Sequence, residues 1–266
     1  MTIGYTTFGS GKEGVIVLHG WFGDYTVFEP IIPYLDTDTF TYAFMDYRGY
    51  GKSRDMKGNH TMQEIAHDAT ELADHLGWER FHVVGHSMGG MALVRLAVNH
   101  PDRVKSGVAL CPVPPSGVPL DADGQALFDG AADNDDNRRM ILDFTTGNRL
   151  SRRWLDRKVK ASRETTTRDA YADYLVAWTK TNFADESKGL ETPLLVCPGE
   201  HDLALTADVM KQTYMEWYPN ATLSVLPNSG HYPMQEIPVY LTTVIEQYMR
   251  EHSQSVVSTP KAAVRG

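Results

Sequence analysis

The stretch Phe81-His82-Val83-Val84-Gly85-His86-Ser87-Met88-Gly89-Gly90 decides how the rest of the chain is read. An apolar run closes in Gly-x-Ser-x-Gly, and Met91-Ala92-Leu93-Val94-Arg95-Leu96-Ala97 follows with helical spacing. Strand, sharp turn and helix are expected in succession, with Ser87 at the apex. Such a turn lifts the serine hydroxyl clear of both elements and points the first amides of the helix at the same spot. Gly85 and Gly89 flank it because a side chain on either would clash where strand and helix pass closely. The five residues alone would also fit a glycine-rich helix start with an N-cap serine. A strand before and a helix after favour a nucleophile.

Working outward, strands alternate with helices on both sides of this turn. Residues 2–8 read as a short strand or hairpin arm, and Val15-Ile16-Val17-Leu18 as a strand buried on both faces. Helical spacing over 27–35, a strand over 39–45 and an amphipathic helix over 61–76 follow, the last stopped by Gly77. After the elbow come a helix over 88–99 and a strand over 104–111. The alternation then breaks: 121–186 holds no convincing strand and reads as helices near 122–130, 136–146, 150–162 and 167–183. Strand 193–198, helix 206–217, strand 221–226 and helix 237–251 restore it. The pattern predicts a doubly wound, mostly parallel α/β sheet built from 1–111 and 191–251, interrupted by helices over 112–190. Residues 252–266 read as a mobile polar tail.

Bulk properties narrow the partners. At 266 residues, with 42% hydrophobic and 22% charged residues, the composition is that of an ordinary globular protein. A formal charge of −9 argues against nucleic acid and anionic membrane surfaces. Cys111 and Cys197 both end apolar runs and read as buried thiols in a reducing compartment. The N-terminus shows no leader pattern and no window is long enough to span a membrane, so a cytoplasmic monomer or homodimer is expected.

A serine nucleophile needs a base, and the base needs an acid to hold its tautomer. His67, His75, His100 and His252 fall on helices or the tail, His82 early in a strand, and His60 in a remote loop. His86 points away from a sharp turn, and His19 beside Gly20 looks structural. His231, in Ser229-Gly230-His231-Tyr232-Pro233 after the last strand, is the favoured base, with His201 its rival. Glu200 and Asp202 follow the preceding strand. The alternative position for an acid reads Leu110-Cys111-Pro112 and offers no carboxylate, so Asp202 is favoured.

With these residues in view, the chain resembles the α/β-hydrolase superfamily, in its capped esterase, perhydrolase and C–C hydrolase branch. His19-Gly20-Trp21, Asp46-Tyr47-Arg48-Gly49-Tyr50-Gly51-Lys52-Ser53, Gly85-His86-Ser87-Met88-Gly89-Gly90, Gly199-Glu200-His201-Asp202 and Ser229-Gly230-His231 carry the resemblance in order. It implies an α/β-hydrolase fold with a helical cap, 112–190, inserted after the sixth strand. It implies Ser87 as nucleophile, Asp202 as acid and His231 as base, with the backbone N–H groups of Trp21 and Met88 as oxyanion donors. The Asp46–Ser53 motif would brace loops. Serine at the elbow disfavours the dehalogenase and epoxide hydrolase activities, which use aspartate there. The implied activity is a serine esterase without cofactor or metal, acting on a small or medium ester; a lactone, amide or C–C bond, peroxide chemistry, or a non-turnover sensor are the alternatives. Phe22, Tyr25, Trp154 and Trp178 are the pocket candidates. The basic run from Arg149 to Arg163 reads as the solvated face of its helix, with substrate recognition the lesser alternative, and Asp133–Asn137 as a turn.

Overall fold

The computed structural model describes residues 2–253, so of the tail expected over 252–266, the part from 254 on lies outside the described residues. Seven strands, β1 (Tyr5–Phe8), β2 (Glu13–Leu18), β3 (Phe40–Met45), β4 (Phe81–His86), β5 (Val104–Leu110), β6 (Leu194–Cys197) and β7 (Ala221–Leu223), form one sheet in the order β1-β3-β2-β4-β5-β6-β7. Only β1 runs antiparallel, on β3; every other pairing is parallel. The β-branched runs explain why: β4 is buried along its whole length and β2 from its second residue on, as a strand covered by helices on both faces must be.

Register brings the carboxyl ends into line. Leu18 pairs with Gly85, His86 with Leu110, and Leu110 with Cys197. The turns after β2, β4, β5 and β6 therefore open at one edge, the place where open α/β sheets present ligand sites.

Helix α1 (Met62–His75) packs beside α2 (Met88–Asn99). Thr61 caps α1 by accepting from the Glu64 amide, while the Glu64 carboxylate accepts from the Asn59 and His60 amides. Its stripe Met62, Ile65, Ala69 and Leu72 is buried, and Gly77 at φ +73° ends it. Between β5 and β6 lie α3 (Ala122–Gly130), α4 (Asp135–Thr145), α5 (Arg152–Thr165) and α6 (Arg168–Lys180), plus one turn at Ala184–Ser187. These helices follow the fifth strand of this chain, not the sixth, because a single short arm strand precedes β2. Of Asp133–Asn137, expected as a turn, Asp133 closes one, its amide donating to Gly130 O at 3.1 Å, while Asn134 caps α4, which Asp135–Asn137 begin; the Asn134 side chain accepts from the Asp136 and Asn137 amides.

Two further segments depart from the sequence expectation. Helix 206–217 breaks at Thr213, whose ψ of −89° is not helical, into Ala207–Gln212 and Tyr214–Trp217. Strand 221–226 stops at Leu223, although Gly199 still bridges to Leu226. The last helix is preceded by one turn, Pro233–Glu236, and runs Pro238–Ser253. No described helix is long and apolar enough to cross a membrane.

Candidate active site

Ser87 sits at φ +56°, ψ −118°, a left-handed conformation that costs a non-glycine residue about 1–3 kcal/mol. Neighbouring strands hold it there. Its amide donates to Leu110 O at 2.9 Å, and its carbonyl accepts from Gly90 N at 2.9 Å and Val113 N at 3.0 Å. The flanking glycines are forced by close approach: a Cβ on Gly85 would strike the Gly89 carbonyl, and one on Gly89 would strike the carbonyls of Leu18 and His19.

The three residues that sequence reading separates by 144 positions meet at this apex. The Ser87 hydroxyl lies 3.0 Å from His231 Nε2, and His231 Nδ1 lies 2.6 Å from Asp202 Oδ2. Asp202 Oδ1 accepts from the amides of Ala204 at 2.9 Å and Leu205 at 3.0 Å. A carboxylate so fixed is an acceptor on its other oxygen as well, so it selects the imidazole tautomer with the proton on Nδ1. That leaves the Nε2 lone pair facing the serine.

His201 does not join them. It turns outward, 3.7 Å from Glu200, and Glu200 accepts from the Asn228 amide at 2.8 Å. His19 is wholly buried, donates from Nδ1 to Gly20 O at 2.7 Å and accepts from Tyr47 N at 3.3 Å; burial lowers its pKa to about 4. His86 has a part that sequence reading missed. It points away from Ser87, and its Nε2–H donates to the carbonyl of His231 at 2.7 Å, tying the elbow strand to the loop that carries the imidazole. Burial, the largest cause, holds His86 well below its ordinary pKa, so it stays neutral in this role.

Trp21 is gripped from two directions. Its indole N–H donates to Tyr171 O at 2.7 Å, its carbonyl accepts from Tyr50 Oη at 3.0 Å, and its ring stacks on Tyr171 at 4.1 Å. Among the described residues neither the Trp21 amide nor the Met88 amide, at the start of α2, has a backbone or side-chain acceptor. The Asp46–Ser53 motif does brace loops: Asp46 accepts from the Tyr25 and Lys52 amides, and Arg48 forms a two-pronged pair with Asp68 at 2.8 Å.

Ser87 and His231 open onto a cavity of about 280 Å³. Phe22 and Trp178 line it, together with Trp21, Phe128, Ile141 and Tyr232. Tyr25 and Trp154 do not. Tyr25 belongs to the 3-10 segment Tyr25–Tyr34 and faces the Lys52 ammonium, while Trp154 packs behind the cavity wall, its ring 5.5 Å from that of Tyr232. Tyr232 is a lining residue the sequence did not single out; its place next to His231 was the available signal.

Cys111, at φ +42° after β5, brings its sulfur within 4.8 Å of ligand atoms of Asp202 and His231. The imidazole and carboxylate are already bonded to each other, and burial pushes the Cys111 thiol well up, so it stays protonated. This donor set is arranged for hydrogen bonding and not for holding an ion.

Known proteins share this architecture. Residues 14–236 match the sequence model of a family described as the alpha/beta hydrolase fold. A non-heme haloperoxidase of Rhodococcus erythropolis is 27% identical over 247 residues, covering 85% of this chain and 88% of its own. Among solved structures, a hydrolase from Oleispira antarctica superposes with a TM-score of 0.83 at 18% identity, over 92% of this chain and 94% of that one. An esterase from Exiguobacterium antarcticum superposes with a TM-score of 0.83 at 20% identity, over 93% and 95%. At such identities these two likenesses speak for the fold.

Proposed function

The chain belongs to the alpha/beta hydrolase fold family, and on that premise we propose that it is a cofactor-independent serine hydrolase that cleaves small to medium uncharged carboxylic esters. The carrying observation is the relay itself, Ser87 Oγ to His231 Nε2 at 3.0 Å and His231 Nδ1 to Asp202 at 2.6 Å, opening onto an apolar cavity. Ser87 Oγ attacks the ester carbonyl as His231 Nε2 takes its proton. The amides of Trp21 and Met88 receive the developing oxyanion, a contribution of about 3–4 kcal/mol per donor in comparable enzymes. His231 then returns the proton to the leaving alkoxide, and water, deprotonated by the same nitrogen, releases the acid. Asp202 keeps Nδ1 protonated throughout and offsets the imidazolium charge. Residues 112–190 serve as the cap that shapes the acyl and alcohol pockets, and the cavity lining, which carries no charged side chain, favours uncharged substrates.

The test is Ser87→Ala with p-nitrophenyl butyrate and a fluorophosphonate label. Turnover should fall by on the order of 10⁴ or more and labelling should vanish, with the fold unchanged by circular dichroism. Activity within tenfold of the parent protein would defeat the assignment. The haloperoxidase relative supports a second reading, in which peroxide replaces water on the same acyl-enzyme. Peracid formation from acetate and peroxide, lost in the same variant, distinguishes it from plain ester hydrolysis.

A further inference from the structure

The basic run from Arg149 to Arg163 divides into two sets. Four of its members are paired: Arg149 with Glu236 at 2.9 Å, Arg152 with Asp156 at 3.0 Å, Lys160 with Glu164 at 3.7 Å, and Arg163 with Asp135 at 2.6 Å. The other three, Arg153, Arg157 and Lys158, have no carboxylate within ion-pair distance among the described residues. All three line a cleft of about 480 Å³ between α5 and the 3-10 segment Tyr25–Tyr34, Arg153 and Arg157 one helical turn apart and Lys158 the residue after Arg157. The residues without partners are the ones that line the cleft. A merely solvated helix face would not sort its charges this way.

Lys158 makes the cleft more than a surface patch. The residue is only 6% exposed, its ammonium reaches a single backbone acceptor, Phe22 O, at a long 3.5 Å, and it stands over the Tyr232 ring at 4.3 Å. An ammonium placed there with no carboxylate in contact, Asp24 favouring its charge only from beyond ion-pair distance, is held at a solvation cost, and burial lowers its pKa to about 7. Glu29, the single carboxylate in the lining, leaves the cleft with a net positive charge. Trp154 supplies an apolar wall, and the first turn of the fourteen-residue α5 adds the positive end of its dipole.

We propose that this cleft is a binding site for a small polyanion, a phosphate- or carboxylate-bearing molecule held by the guanidinium groups of Arg153 and Arg157 and the ammonium of Lys158. The site is separate from the Ser87 cavity. It touches that cavity through Lys158, which contacts the carbonyl of Phe22 and the ring of Tyr232, both cavity-lining residues. Binding therefore stands or falls independently of whether Ser87 is catalytic.

The experiment is calorimetric titration of the full-length protein with pyrophosphate and, in a parallel arm, with citrate, at fixed ionic strength set by sodium chloride. One saturable site is expected in at least one arm, and the stronger arm tells phosphate from carboxylate. Arg153→Gln/Arg157→Gln, both exposed positions, should weaken it at least tenfold, Lys158→Met should abolish it, and Arg152→Gln, already paired on the helix, should leave it within twofold. Failure to saturate in both arms overturns the proposal. So does equal weakening by Arg152→Gln and the double variant, which would mean diffuse attraction instead of a built site. If Lys158→Met does not fold, the double variant against Arg152→Gln still decides.

Discussion

Two regions enclose the same cavity by different physics. The loops at the carboxyl ends of β4 and β6 and after β7 contribute Ser87, Asp202 and His231 through directional bonds of 2.6 to 3.0 Å, each anchored by further backbone bonds. The helices over 112–190 contribute Leu127, Phe128, Ile141 and Trp178 through apolar contact. A hydrogen-bonded relay fails when one member shifts by an ångström, whereas an apolar wall accepts many residues of similar volume. On the proposed function, the first region would set what bond chemistry is possible and the second which molecule reaches it.

That division predicts very unequal responses to substitution. Asp202→Asn keeps an acceptor for the Ala204 and Leu205 amides, so the loop should hold its shape. The amide nitrogen would then face His231 Nδ1 and donate to it, which favours the tautomer protonated at Nε2, unable to accept from Ser87. Turnover should fall by about 10³–10⁴ with little change in KM. A kcat within tenfold of the parent protein would mean that the carboxylate does not set the tautomer, and the proposed contrast between the regions would collapse.

Trp178→Ala probes the other region. Trp178 is 7% exposed and packs edge-on against Trp21 and Phe128, so its truncation should cost about 3–5 kcal/mol of stability, read from urea midpoints. Ser87 should still be labelled by fluorophosphonate. The ratio of kcat/KM for p-nitrophenyl octanoate over acetate should rise about tenfold, since each methylene newly accommodated is worth about 1–3 kcal/mol. An unchanged ratio alongside reduced turnover of both esters would show that the insertion governs chemistry and not selection.

The same contrast explains what could be read in the sequence. Ser87, Asp202 and His231 are legible because a glycine-flanked turn or a strand-end loop marks each, and because few residue types can do each job. The sheet is legible for the same reason: central strands show unbroken β-branched runs. The pocket is not. Aromatics on a helix advertise burial but not its direction, so Trp178 faces the cavity while Trp154, on a neighbouring helix, packs behind Tyr232. His86 is adjacent to the nucleophile in sequence, yet its function depends on a carbonyl 145 residues away, which no local pattern announces. The split of the basic run into paired and unpaired members is local only in part: Arg152 and Lys160 pair four residues on within α5, whereas Arg149 and Arg163 reach Glu236 and Asp135 on facing elements.

The pH dependence of stability separates the two regions again. The insertion 112–190 contains no histidine, so buried imidazoles act only outside it, His82 at the far end of β4 among them. Neutral His19 suits its site because Nδ1 donates to Gly20 and Nε2 accepts from Tyr47; a second proton would set Nε2–H against the Tyr47 amide. With a folded pKa of about 4 against 6.5, the unfolded chain binds more protons between those values, so stability falls as pH drops from 6.5 to 4, by about 3 kcal/mol for this group. His86 acts in the same direction. Lys158 is the counterpart in the insertion, facing Asp24, which favours its charge, with Phe22 and Tyr232 against it. Its folded pKa of about 7 lies below 10.5, so the unfolded chain again binds more protons, and stability rises with pH across that higher window. In buffers free of polyanions, Lys158→Met should remove the upper slope from a series of urea midpoints and leave the lower one intact. Loss of both slopes in that variant would mean that the two regions titrate as one unit.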